Sequence, residues 1–521
     1  MQTPDLRSRP RTLRHAAYGV LATVVGLAAA HLVAALTVPA ASPVLAVGST
    51  VIDLTPTPLK EWAIRQFGTA DKLVLVGSVT LVVLVLAAVA GVVTARIETV
   101  GLLIIVGLAG VAGVLAVLRP GSGPLDLLPA LVAAAVGATA LWWLHRVDDR
   151  ARTGPSPESN PDGGGEGEGP TRRGVVLATG GLAAAAVTMG ALGRWVTSYR
   201  LGGTDIALPV ATDPASSFPV GLERTYAGIT PLRTPTDEFY RVDTRLTVPS
   251  VDVESWTRTI DGDVDREVTL TFDDLAAMTT IERDITLTCV SNEVGGPYVG
   301  GARWLGVPLA AVLEKAGIDA TSADQILSTD VDGMTISTPL DVALDGRDAM
   351  IAIGMNGGPL PREHGFPARM VVPGLYGFVS ACKWITRMTL TTYDAEEAYW
   401  TERDWAIDAP IKISSRIDTP KPLSTSDAGK VVIGGIAWAQ GVGIDKVEVR
   451  IDGEAWQPAT LGPQVTDDYW RQWYLEWDAE PGQHFIACRA TNKDGDVQTD
   501  VRMTPFPEGS SGHQEISVSV G

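Results

Sequence analysis

Two short stretches hold the side chains with the most chemical capacity. The first, "LTCVSNEVGG" (residues 287–296), ends an alternating apolar run on Cys289 and follows it with Asn292, Glu293 and the Gly295–Gly296 pair. A cysteine in such a strand is ordinarily a small buried hydrophobe. Where a strand gives way to a turn, however, a thiol is held out on a loop, and loops on rigid scaffolds concentrate reactive groups. A single thiolate is a soft ligand, suited to a metal that takes its other donors from elsewhere. The second stretch, "MNGGPLPREHGFPARMVVPGLYGFVSACKWI" (355–385), gathers Arg362, His364, Arg369 and Lys383 among glycines and prolines. Clustered cationic donors beside backbone N–H groups can hold a phosphate or another oxyanion. The plainer alternative is a solvated loop with an incidental histidine. In an otherwise acidic region, four such groups favour the anion site.

The elements that must position these residues read as an α+β unit over 205–393. "FYRVDTRLTVP", "REVTLTFDDL", "RDITLTCV" and "DGMTISTPL" alternate like strands, and "PLAAVLEKAGI" has helical apolar spacing with a closing glycine. From 410 to 521, "KVVIGGIAWAQG", "KVEVRIDGEAW", "YWRQWYLEWDAEPG", "HFIACRATNKDG" and "VQTDVRM" follow one another with Gly, Asp-Gly and Pro-Gly punctuation. That pattern predicts a β-sandwich of immunoglobulin size. Trp438, Trp456, Trp473 and Trp477 are expected to fill its core or an interface.

Composition divides the 521 residues sharply. Residues 1–146 carry ten Lys/Arg and six Asp/Glu, a net of +4, and are otherwise rich in Ala, Val, Leu and Gly. Apolar segments near 15–38, 72–94, 98–118 and 124–145 each approach the ~20 residues a bilayer core requires. Arg7, Arg9, Arg11 and Arg14, then Arg96 and Arg146, fall on one side if the amino terminus is cytoplasmic. The intervening stretch 42–72, with Pro, Asp and Lys at intervals, is then outside the membrane. Residues 147–173 read as a flexible cytoplasmic linker, rich in Gly, Pro, Ser and acid. A fifth apolar segment at 174–197 follows Arg172–Arg173, which is either an ordinary topology signal or a twin-arginine export signal. Either one sends the remaining chain outward. His15, His31 and His145 lie in or beside the apolar segments and form no clear pair at matched depth, so packing roles are expected.

The whole chain carries −19, with residues 147–173 contributing −2, which leaves −21 after Arg173. So acidic a surface repels phosphate backbones and argues against nucleic acid as a partner. Cys289, Cys382 and Cys488 are too scattered for a disulfide framework, and no CxxC or CxxCH is present to signal a zinc knuckle or c-type haem.

"LTCVSNEVGG", "RWLGVPLAAVLEKAGI", "MNGGPLPREHGFPARMVVPGLYG" and "KWI" together resemble the sulfite oxidase family of molybdopterin-dependent oxidoreductases over about residues 225–510. The residues after 410 are similar to that family's immunoglobulin-like dimerisation domain. The fold class so implied is multi-domain: a transmembrane helical region (1–146), a linker (147–173), a fifth helix (174–197), an α+β molybdopterin domain (205–393) and an Ig-like β-sandwich (410–521). The resemblance implies that Cys289 gives its thiolate to molybdenum, that His364, Arg369 and Lys383 contact the pterin phosphate, that Asn292 shapes the ligand loop and that Tyr240 lies near the cofactor. Where the family commonly has Asn-His, this chain has Asp243-Thr244. Glu293 and Val294 replace arginines that hold sulfite, Ile353 replaces a tyrosine, and an arginine is displaced to Arg241. The expected function is oxygen-atom transfer on a small sulfur or nitrogen compound outside the cell membrane, with a separate redox partner protein and a homodimer through the last domain. The competing expectation is a non-enzymatic surface adhesion protein on a degenerate scaffold.

Overall fold

A computed structural model describes residues 9–56, 59, 62–63, 66–67, 71–119, 122–153, 172–200 and 206–521. The chain forms two compact units: a helical one up to residue 203, joined by 244–248, and a sheet-rich one made of 204–243 and 249–521.

In the helical unit, Arg9–Leu36, Asp71–Thr94, Glu98–Val117, Leu128–Thr153 and Arg172–Arg200 are long α-helices. Among the described residues, five helices are long and apolar enough to cross a membrane. Small side chains let them approach: Ala22, Ala30, Ala34, Ala87 and Ala90 are buried. The stretch after the first helix is not a polar loop throughout, because Pro43–Leu54 is helical and buries Ala46 and Gly48. A proline at its first position, where the missing N–H has no partner to lose, starts it. Residues 147–153 of the expected linker continue the helix Leu128–Thr153. The rest of that linker, 154–171, lies outside the described residues, as does Arg7. The histidines also depart from expectation: the His15 and His145 rings stack at 4.8 Å, which sets them at one depth.

The sheet-rich unit begins with β1 (Thr257–Gly262), β2 (Val268–Thr271), β3 (Ile281–Thr288), β4 (Val299–Pro308), β5 (Gln325–Asp330), β6 (Thr335–Pro339), β7 (Met350–Met355), β8 (Gly358–Pro359), β9 (Arg369–Val371) and β10 (Ile385–Thr391). One sheet runs β2-β1-β10-β5-β6; the other runs β3-β4-β7-β8, with β9 also paired to β7. Between β2 and β3, Thr271 caps a short helix: its hydroxyl accepts from the Asp274 N–H while the Asp274 carboxylate accepts from the Thr271 N–H. Trp256, Ile260, Leu309, Leu313, Ile326 and Met388 belong to one apolar core, and Phe239, Ile285, Trp304, Met350 and Phe366 to a second.

Two sheets follow: β11 (Ser414–Thr419), β13 (Gly429–Trp438), β17 (Arg471–Ala479) and β16 (Thr460–Leu461) in one, and β12 (Thr425–Ser426), β19 (Gln514–Val520), β18 (Gly482–Asn492), β14 (Ile444–Ile451) and β15 (Gln457–Pro458) in the other. Their shared core holds Ile433, Val447, Val449, Trp473, Ile486 and Val518. Trp438 and Trp473 are buried as expected, while Trp456 is half-buried beneath the Arg450 and Arg489 guanidinium groups at 4.8 and 4.4 Å. "VQTDVRM" is not a strand, and the last strand is instead β19, which pairs with β18.

One strand expectation fails, and another holds with both faces buried. Phe239 to Asp243 is irregular and not a strand: the Asp243 carboxylate is turned inward and taken up by Lys383, while Arg241 reaches it from the exposed side. In β3 the polar positions of the alternation are buried too, with Thr286 at 0% exposure, because residues 468–470 cover that face. Alternation predicts one wet face only when nothing else packs there.

Candidate functional site

Cys289 directly follows β3. Its N–H donates to Tyr298 O at 3.0 Å, and the chain turns at once, the Asn292 N–H reaching Cys289 O at 3.0 Å. Asn292 fixes the far side of the turn by accepting the Tyr298 N–H on Oδ1 at 2.8 Å. Gly295 has φ of +80°, a conformation other residues adopt only with strain, and a Cβ there would meet the Gln514 side chain at 2.6 Å. The thiol is unbridged and 9% exposed. Burial raises its pKa, while the Ser291 N–H and hydroxyl and the charge of Lys383 act in the opposite direction.

The cations converge through one backbone device. Gly365, at φ of +110°, sits where a Cβ would lie 3.0 Å from Arg369 Cβ and 3.2 Å from Lys383 Cα, so only glycine lets these three segments close together. His364 is buried and donates Nε2–H to Thr236 O at 3.3 Å. Desolvation, then the Arg369 and Lys383 charges, push its imidazole down to about 4, so it is neutral at physiological pH. Arg369 is 5% exposed and lies over the Trp304 ring at 5.1 Å; among the described residues its guanidinium donates only to carbonyl oxygens, those of His364 at 3.1 Å, Met370 at 3.4 Å and Ala381 at 3.5 Å. Burial lowers it to about 10. Lys383 is lowered to about 8 by burial, against the opposing effect of Asp243, whose carboxylate it reaches at 2.8 Å. Asp243 also receives Arg241 at 2.7 Å. Arg362, also in the cluster, is lowered by burial, and its carbonyl accepts Trp384 Nε1–H at 2.8 Å.

Tyr240 completes the group. Burial raises the phenol, the Cys289 thiolate adds to the rise, and Arg369 opposes it. Cys289, Tyr240, Arg369, Lys383 and His364 thus form one electrostatic neighbourhood, with Asn292 in the thiol's own turn. Ile353, by contrast, is fully buried in the core on β7, while Glu293 is exposed on the turn.

This donor set suits a particular kind of guest. Among the described residues, no group of three or more His, Cys, Asp or Glu could hold a bare metal ion. A metal on Cys289 would therefore need further donors from an organic ligand, and the buried Arg369 suits an anionic arm of such a ligand. Sequence reasoning missed the Asp243–Lys383 ion pair, because side chains 140 positions apart leave no local pattern.

Comparison with known proteins gives the class. Residues 245–400 match the family described as oxidoreductase molybdopterin binding domain. Mitochondrial sulfite oxidase of Rattus norvegicus is 31% identical over 305 residues, 49% of this chain and 55% of that protein. The NADH nitrate reductase of Solanum lycopersicum is 26% identical over 318 residues, 49% of this chain and 35% of that one. The chain thus spans about half the length of the first of these relatives, or less. Sulfane dehydrogenase SoxCD from Paracoccus pantotrophus shares the fold, with a TM-score of 0.50 and 21% identity over 61% of this chain and 92% of that chain. Residues 245–400 therefore carry an oxidoreductase molybdopterin binding domain similar to part of the sulfite oxidases, and such a domain implies a molybdenum–molybdopterin cofactor.

Proposed function

We propose that the protein is a membrane-anchored molybdenum oxidoreductase that exchanges an oxygen atom with a small sulfur or nitrogen compound on the outer face of the membrane. The observation that carries this proposal is Arg369, a buried guanidinium bonded only to carbonyl oxygens in the same electrostatic neighbourhood as an unbridged thiol. A buried cation without a counter-ion is costly, and a bound phosphate removes that cost.

In this proposal Cys289 supplies a thiolate to molybdenum, and His364, Arg369 and Lys383 hold the pterin phosphate. Tyr240 and Asn292 shape the space around the ligand turn. When bound, the cofactor supplies two-electron oxygen-atom transfer. The chain's own residues prepare for it. Lys383 and the Ser291 donors help the Cys289 thiol give up its proton despite burial, and neutral His364, whose one N–H is held by Thr236 O, adds no further charge and can donate to the phosphate only by exchanging that partner. Glu293, exposed on the ligand turn, disfavours a dianion such as sulfite. With no haem motif in the sequence, electrons pass to or from a separate redox protein. The five apolar helices anchor the unit, the arginines flanking them set the amino terminus inside, and the Ig-like sandwich pairs two copies.

Molybdenum analysis of the full-length protein from a molybdopterin-competent host tests the assignment. About one metal per chain, lost in Cys289→Ser, is expected. Absence of metal from the wild type would instead favour a surface binding protein on a degenerate scaffold. A screen of S-oxides, N-oxides and sulfite with artificial electron carriers then defines the substrate; rapid sulfite oxidation would contradict the role given to Glu293.

A further inference from the structure

The turn that carries Cys289 is completed by side chains that come from far along the chain. Its own hydrogen bonds use the N–H groups of Cys289, Asn292 and Gly296 and the Asn292 side chain. The carbonyl oxygens of Asn292 and Gly296 are taken from outside. Ser510 Oγ–H donates to Asn292 O at 2.6 Å, and Arg416 donates to Gly296 O at 3.0 Å.

Both donors are themselves fixed. Arg416 also donates to Asp418 Oδ1 and to Thr230 Oγ1, each at 2.7 Å, and Asp418 Oδ2 accepts the Thr230 N–H at 2.9 Å. The Gln514 side chain fills the space over Gly295, and its Oε1 accepts the Ile417 N–H at 2.6 Å. The strand that delivers Cys289 is held from the same quarter. Thr286 accepts the Trp470 N–H on its hydroxyl at 2.9 Å, donates its own N–H to Asp468 O at 3.0 Å, and its carbonyl accepts Gln440 Nε2–H at 3.2 Å. Ser510, Asn292, Gln514 and Thr286 are all buried, where an unmade hydrogen bond is not replaced by water.

We infer that Ser510 and Arg416 are positioning residues for the Cys289 turn, so that the β-sandwich is part of the active-site framework and not only a surface for pairing copies. The inference rests on the proposal that Cys289 ligates molybdenum. Held on both flanks by this sandwich, the thiol keeps one position before any cofactor arrives, as a metal ligand supported by outer hydrogen bonds must.

Two measurements on the full-length protein separate the inference from the proposal beneath it. In protein made without cofactor, iodoacetamide alkylation of Cys289 is followed by peptide mass spectrometry, with buried Cys382 and Cys488 as internal references. Ser510→Ala and Arg416→Lys are each expected to raise the Cys289 rate about fivefold, the opening expected from loss of one buried hydrogen bond. Ser510→Thr restores the rate, and Thr466→Val, which removes the bond to Asp284 O elsewhere on β3, leaves it unchanged. In loaded protein, Ser510→Ala keeps its molybdenum but shifts the electron paramagnetic resonance signal of the one-electron-reduced metal. Should Ser510→Ala fail to fold, Arg416→Lys reads the same claim, because it keeps a cation beside Asp418. Wild-type alkylation rates with an unshifted signal in the variants would overturn the inference. Molybdenum retained by Cys289→Ser would overturn the ligand proposal instead, leaving the alkylation result to decide whether the sandwich holds the turn.

Discussion

The threonines of the long helices and the turn around Cys289 satisfy their polar groups over different distances along the chain. In the helices, the hydroxyls of Thr80, Thr94, Thr179, Thr188 and Thr197 each donate to the carbonyl four residues earlier, at 2.7 to 2.9 Å. Around Cys289, the equivalent bonds join residues 120 to 218 positions apart. A helix in an apolar setting must close its hydrogen bonds within itself. A site that buries a thiol together with several cations has no such local solution, so it borrows partners from distant segments. Local satisfaction makes a region tolerant of change, and borrowed satisfaction makes it sensitive.

Breaking the borrowed side should give the largest effects. Arg369→Met is expected to lower bound molybdenum and pterin by about ten- to a hundredfold, measured by metal and pterin analysis. In cofactor-free protein the same change raises stability by about 1 kcal/mol or more, because it removes a buried charge that has only carbonyl partners. Opposite signs in the two states would show that the guanidinium serves the guest and not the fold.

Next in size is the Asp284–Arg303 pair, joined by two bonds of 2.9 and 2.6 Å with Asp284 buried. Asp284→Ala should cost about 1.5 to 3 kcal/mol in thermal or denaturant unfolding, since it removes two charge-assisted bonds and leaves Arg303 with Ser216 O and Glu282.

Acid titration sharpens the same contrast. His364 is held at about 4 in the folded protein, below the ordinary 6.5, so the unfolded chain takes up the proton first. Its contribution to stability is complete above pH 6.5 and is lost as the pH falls toward 4. His364→Gln should flatten that part of the melting-temperature profile of the cofactor-free protein. The smallest effect belongs to the helical side: Thr188→Val removes only a local bond on an exposed face, and unfolding should change by no more than about 0.5 kcal/mol.

The same contrast explains what could be read from the sequence. Long apolar runs with flanking arginines identified the five helices, because composition alone carries that signal. Cys289, Asn292, His364, Arg369 and Lys383 stood out by residue type and by motif, and the structure gathers them with Tyr240. The burial of Thr286 and the Asp243 partnership with Lys383 were not legible, since each depends on what another part of the chain brings to it. The helix Pro43–Leu54 was obscured by the polar residues around it. "VQTDVRM" alternates like a strand yet finds no ladder, whereas β19 was overlooked at the end of a loop-rich stretch.

Asp243 gives the pocket a resident counter-ion. Because its carboxylate receives both the Lys383 ammonium and the Arg241 guanidinium, these two charges are already matched. If Lys383 holds a phosphate as proposed, that phosphate must win it by exchange, with the displaced acid close by to repel it. Loading would then be selective for guests whose other contacts, at Arg369 and the thiol, outweigh that rivalry.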